Sequence, residues 1–154
     1  MQNYEINSKT LAILPIENNK SKVIEENNSF IINTSVMKII DNSCKFFGSS
    51  YEGRFNGTKK MIGVSHKSPI IIEESKKIIF FPTTSPRLNV CAWISLNNIE
   101  NYYSNGIDTV IKFSCGKKET LQISYGIIDN QVLRSSRLLT ILNKRIETLK
   151  KFDF

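Results

Sequence analysis

The chain is poor in the residues on which catalytic and metal chemistry depends. Its 154 residues include one histidine, His66, and three cysteines, Cys44, Cys91 and Cys115, far apart and without a Cys-x-x-Cys pair. That argues against a zinc site and against a disulfide framework. The three thiols read as small core residues in a reducing cytoplasm. No apolar run approaches the roughly 18 residues of a membrane span, and residues 1–15 lack the charged start and small-residue cleavage site of a signal peptide. The expectation is a soluble, cytoplasmic protein with no membrane contact. Phosphate-binding Gly-x-x-x-x-Gly-Lys loops, Gly-x-Ser-x-Gly elbows, His-Glu-x-x-His helices and Gly-x-Gly-x-x-Gly turns are absent. Glu25-Glu26 and Glu73-Glu74 are carboxylate pairs, but strand neighbours point to opposite faces. No catalytic residue, metal ligand or cofactor is assigned.

Acidic residues are also in short supply. Fourteen Asp and Glu face twenty-one Lys and Arg, a formal charge of +7 and a pI near 9.4, which asks for an acidic partner. The excess is confined to two stretches. Residues 34–72 carry Lys38, Lys45, Arg54, Lys59, Lys60 and Lys67 against Asp41 and Glu52. From 134 onward, Arg134, Arg137, Lys144, Arg145, Lys150 and Lys151 face only Glu147 and Asp153. Elsewhere the two signs nearly cancel, so the charge is a local footprint.

What is present is globular: 40% hydrophobic and 10% aromatic residues, in a length suited to one domain, 1–154. Thr10–Pro15, Lys22–Glu25 and Ser29–Ile32 read as strands separated by Asn-rich turns. Met37, Ile40, Cys44 and Phe47 then recur at three and four residues, with Thr34 or Ser35 as N-cap and Gly48 as stop, predicting an amphipathic helix over 35–47. Residues 48–58, with three glycines and two serines, read as a flexible connection. Lys60–Val64, Ile70–Ile72, Lys77–Phe81 and Val90–Leu96 read as strands. Residues 110–115 and 119–125 alternate around Gly116-Lys117-Lys118 as a hairpin. Ile128, Val132, Ser135, Leu139, Leu142, Ile146 and Leu149 form one stripe of a long C-terminal helix from about 127, with Arg137, Lys144 and Lys151 opposite. Core packing and a dimer seam both fit that stripe. The fold class is α+β, mainly antiparallel strands with these two helices.

Two stretches look like recognition surface. From Lys45 to Lys67, basic residues alternate with Phe46, Phe47, Tyr51 and Phe55. On composition alone, nucleic-acid contact and a solvated loop over core phenylalanines fit equally. The second is the basic face of the last helix, where a plain solvated face is the simpler reading. Arg87, between Pro86 and Leu88, is a third candidate.

The segment Ser43-Cys44-Lys45-Phe46-Phe47-Gly48-Ser49-Ser50-Tyr51-Glu52-Gly53-Arg54 resembles the ComK family of competence transcription factors of Bacillus and related Gram-positive bacteria. Ser65-His66-Lys67-Ser68-Pro69-Ile70, Phe80-Phe81-Pro82-Thr83, Cys91-Ala92-Trp93-Ile94-Ser95, Ile123-Ser124-Tyr125 and Asn130-Gln131-Val132 agree in order and spacing. The likeness runs from about Tyr4 to about Ile146. It implies a sequence-specific activator that binds paired A+T-rich boxes of double-stranded DNA through the minor groove, as a homodimer or tetramer. It also implies control by an adaptor, MecA, that delivers such proteins to the Clp protease. Narrow A-tract grooves attract basic side chains. The expected DNA-binding residues are therefore Lys45, Arg54, Lys59, Lys60 and Lys67, with Tyr51 and His66 as hydrogen-bonding neighbours and Arg87, Arg134 and Arg137 as further candidates. Longer family members carry a tail with a hydrophobic adaptor motif after the helix, of which Phe152 and Phe154 are at best a remnant. That departure puts both adaptor contact and full activation in doubt. The alternative function is a non-activating short form that pairs with a full-length family member.

Overall fold

The structure, a computed structural model, describes residues 3–151; the tail remnant Phe152 and Phe154 lies outside the described residues. Six antiparallel strands form the main sheet in the order β3-β2-β1-β6-β5-β4, comprising β1 (Thr10–Ile16), β2 (Lys20–Glu25), β3 (Ser29–Ile32), β4 (Ile70–Glu73), β5 (Ile78–Pro82) and β6 (Trp93–Ser95). A smaller antiparallel sheet contains β7 (Ile99–Asn105), β8 (Asp108–Phe113) and β9 (Lys118–Leu121). The helices are α1 (Val36–Phe46), α2 (Tyr51–Ile62) and α3 (Tyr125–Lys150). The α+β expectation holds.

Both faces of the main sheet are covered, which explains why Ile70-Ile71-Ile72 and Ile78-Ile79-Phe80-Phe81 are continuous apolar runs instead of alternating ones. On one face Ile13, Val23, Ile70, Ile72, Phe80 and Trp93 pack with Ile39, Ile40 and Cys44 of α1. On the other, Leu11, Ile24, Phe81 and Ile94 meet Ile111 and Phe113 of the small sheet and Ile128 of α3. Further along that face, Ile71 and Ile79 meet Leu138 and Leu142 of α3 and Ile62 of α2. The three strands at the N-terminus and α1 match the sequence expectation closely. Ser35 caps α1 by accepting from the Lys38 N–H at 3.3 Å. Of the expected α3 stripe, Ile128, Ser135 and Leu142 are buried within the chain's own fold and Leu149 is exposed, while Leu138, outside that stripe, is buried beside them.

The structure departs from the sequence reading at four points. Residues 48–58 are not a flexible connection, and Lys60–Val64 is not a strand: most of this stretch is α2. Ser50 caps its start by accepting from the Gly53 N–H at 3.0 Å. A Cβ on Gly53 would lie 2.9 Å from the Ser49 hydroxyl, so glycine here lets the capping turn close. Gly63, at φ +71, ends the helix by returning its N–H to the Lys59 carbonyl. Second, β9 stops at Leu121, and Tyr125 opens α3 instead of closing a strand. Third, β7 is a strand that hydrophobic alternation does not announce. Fourth, Cys115 is exposed at the β8–β9 turn, whereas Cys44 and Cys91 are buried as expected; burial pushes the Cys44 thiol up to about 11, which keeps it protonated and inert.

Candidate nucleic-acid interface

The ten candidate residues divide by what the fold has done with their charge. Arg54 is tied down. Its side chain is 15% exposed, and its Nη1 lies 2.7 Å from Glu74 beyond β4. Its Nε is enclosed without a partner. Lys45 stays on the surface in the last turn of α1, paired with Asp41 one turn earlier at 3.0 Å. Lys59 and Lys60 are exposed on the last turn of α2, and Arg137 is exposed on α3. Arg134 is half-buried, donating to the Gln131 Oε1 at 2.9 Å, and burial lowers its pKa below the usual arginine range.

The remaining four meet in one place. Tyr51, His66, Lys67 and Arg87 line a cleft of about 500 Å³, together with Met37, Phe55 and Pro86, the serines 65, 68 and 85, and one carboxylate, Glu52. The residues come from α1, α2, the 63–69 loop and the 83–91 loop. Tyr51 is fixed by its neighbours. Its backbone N–H is held by the Asp41 carboxylate at 2.9 Å. Its ring stands edge-on to the fully buried Trp93, with centroids 6.1 Å apart and planes at 87°. Burial raises its pKa, so the phenol remains a neutral donor. Phe55 lies beside it at 6.2 Å.

The 63–69 loop is set from below. Thr58 of α2 donates to the Pro69 carbonyl at 2.7 Å. Gln131 of α3 donates from Nε2 to the carbonyls of Lys67 and Pro82 at 2.8 and 2.7 Å. Lys67 itself has φ +48, a left-handed backbone unusual for lysine, so this loop is held in a particular shape. The second wall is fixed likewise: the Leu88 N–H returns to the Ser85 carbonyl and the Cys91 N–H to the Leu88 carbonyl, and Arg87 projects from that turn. Among the described residues the ion pairs are Lys45–Asp41, Arg54–Glu74 and Lys112–Glu100. The cleft's three basic side chains therefore have no carboxylate within ion-pair distance. Such a hydrogen-bond-rich concavity, with Lys67 and Arg87 against the single lining carboxylate Glu52, suits an anionic ligand.

Gln131 is the polar residue that the sequence stripe missed, along with the apolar Leu138. It is fully buried, and the inward line of α3 runs Ile128, Gln131, Ser135, Leu138, Leu142. A polar residue at three-four spacing within an apolar stripe was the available signal.

The sequence model of the ComK protein family matches residues 1–147. The chain belongs to the ComK family. The competence transcription factor of Bacillus subtilis (strain 168) is 40% identical to this ComK-family chain over 151 residues, which cover 96% of the chain and 79% of that protein. No solved structure matches it. The motif segments of the ComK resemblance fall on the cleft and its supports: Tyr51 on α2, His66 and Lys67 in the loop, Trp93 beneath, and Gln131 behind. Among the described residues, no helix is long and apolar enough to cross a membrane.

Proposed function

We propose that this ComK-family chain is a transcriptional regulator of competence that binds A+T-rich double-stranded DNA through the minor groove, with the Tyr51, His66, Lys67 and Arg87 cleft at the centre of the contact. Family membership and 40% identity to a competence transcription factor carry the coarser part, regulation of competence transcription rather than catalysis. The observation that supports the finer part is the convergence, on one cleft, of three basic side chains without ion-pair partners and a neutral tyrosine. A narrow, strongly negative A-tract groove favours inserted Arg, Lys and His side chains, and hydroxyl donors can meet the adenine N3 and thymine O2 acceptors there. Lys59, Lys60, Arg134 and Arg137 would add phosphate contacts around that centre.

The test is a gel-shift series with an A+T-box duplex across salt concentrations, with and without a minor-groove-binding drug. Affinity should fall with salt at a log–log slope of about 0.9 for each phosphate neutralised, and the drug should displace the protein. A complex insensitive to the drug would move the contact to the major groove. Unchanged mobility with every duplex would favour a regulator that acts by joining another family member.

A further inference from the structure

Strand β7 is an outer strand of the small sheet, and its far edge meets no other strand among the described residues. Open edges are templates for pairing, and proteins guard them with lysine, proline, bulges, short length or a covering element. The other edges here are guarded. β4 is bulged and packs against α2, and β3 and β9 have four residues each. β7 has seven residues and contains neither Lys, Arg nor Pro. Its bulge lies at one end, between Ile99 and Asn101, and its one charge, Glu100, is drawn back to Lys112 of β8 at 3.1 Å.

The hairpin register says which backbone groups are open. Asn105 pairs with Asp108 across the two-residue turn Gly106-Ile107, and a turn that short requires those two residues to exchange both hydrogen bonds. Alternation then sends the N–H and C=O of Tyr103 and Asn101 toward β8 and those of Tyr102 and Ser104 outward. We infer that β7 pairs with β7 of a second copy of this chain, antiparallel about a two-fold axis at Tyr103, fusing the two small sheets into one.

The edge is self-complementary in this register. Tyr102 meets Ser104 of the other copy and Ser104 meets its Tyr102, so every outward backbone group of these two residues finds a partner, as a closed two-fold interface requires. The two Tyr103 residues face each other as a non-hydrogen-bonded pair, Cα atoms about 4.5 Å apart. Tyr103 is 43% exposed in the single chain, and an aromatic cross-strand pair is a stabilising one. Charge favours the same approach. Two copies at +7 repel, but residues 91–133 carry four carboxylates against three lysines. The small sheet thus lies outside the two basic stretches that carry the repulsion. The inference goes beyond the DNA reading and stands without it.

The experiment is sedimentation velocity of the full chain without DNA, with variants. Ser104→Pro removes an outward N–H and no in-chain ladder bond, a place where edge strands tolerate proline. The wild type should sediment as a dimer, and S104P as a monomer with its thermal midpoint kept. Tyr103→Cys in a Cys115→Ser background should form a disulfide-linked dimer under mild oxidation, since the opposed Cα distance suits a disulfide. Ile107→Cys in that background, at the 88% exposed hairpin tip, should not. A monomeric wild type, a dimeric S104P, or an I107C chain linking as fast as Y103C would overturn the inference. If S104P fails to fold, the contrast between the two cysteine variants decides. A dimer that shifts no duplex would end the DNA reading and leave this one intact.

Discussion

Arg54 and Glu74 form a 2.7 Å ion pair that fastens the first turns of α2 to the β4–β5 connection, with the arginine largely buried and the glutamate 61% exposed. A residue whose charge pattern pointed to DNA is thereby given a structural task. Arg54→Ala should destabilise the protein by about 1–3 kcal/mol through lost packing and a lost charge-assisted hydrogen bond. Glu74→Gln should cost less than about 1 kcal/mol, because that carboxylate is solvated. Thermal unfolding separates the two, at roughly 2–4 °C per kcal/mol for this size. Well below its melting temperature, R54A should keep the wild-type salt slope for DNA.

Gln131 is the peg between α3 and the loop that carries His66 and Lys67. Gln131→Leu would leave the buried Pro82 carbonyl without its donor, at about 1–3 kcal/mol, and would free the part-buried Lys67 carbonyl at a smaller cost. Denaturant midpoints should fall accordingly. Because the loop loses its anchor, DNA affinity should fall as well, even under conditions where the variant is fully folded. Stability lost without any change in affinity would show that Gln131 does not position the cleft.

Lys67 and Arg87 stand on opposite walls of the cleft without carboxylate partners. Lys67→Ala and Arg87→Ala should each reduce the log–log salt slope of DNA binding by about 0.9 if each side chain neutralises one phosphate. Lys112→Ala, on β8 and paired with Glu100, should leave the slope unchanged. Gel shifts or fluorescence anisotropy over a salt series provide the measurement. Equal slopes for all four proteins would remove the cleft from the interface.

Asp41 links α1 to α2 by accepting the Tyr51 N–H, and that bond, more than its Lys45 partner, holds its carboxyl below the usual range against the opposing effect of burial. A folded-state pKa below the unfolded value of about 3.9 means the stabilisation is present above about pH 4 and is lost as pH falls through the depressed value. Asp41→Asn should therefore cost about 1 kcal/mol near neutrality and should flatten the acid limb of stability. Urea midpoints measured between about pH 2 and pH 6 test it.

Local chemistry made part of this fold readable. Asn18 and Asn19 adopt the left-handed backbone that turns β1 into β2, and asparagine accepts that geometry. Ser35 and Gly48 bracket α1 as expected. Helix α2 was not legible, because Gly53, Gly57 and the serines before it have loop statistics. Its stability comes from caps at both ends and from anchors such as the Thr58 bond to the Pro69 carbonyl. Strand β7 was illegible for another reason: its bulge puts Ile99 and Tyr102, three residues apart, toward the same core, so the period of two is broken. Tyr102 then donates to Asp129 of α3 at 2.6 Å, a contact no pattern within the strand foretells.

The sequence by itself determined the family, the α+β class, the local elements with clear periodicity and caps, and the division of a +7 charge into two basic stretches. Only the tertiary structure decided how those charges are used. Whether a cation is available to a ligand depends on the carboxylates, carbonyls and burial around it, and these come from remote parts of the chain. Glu74, twenty residues along, engages Arg54. Gln131, sixty-four residues along, shapes the Lys67 loop. The same folding leaves Lys67 and Arg87 facing a common cleft without a neutralising partner.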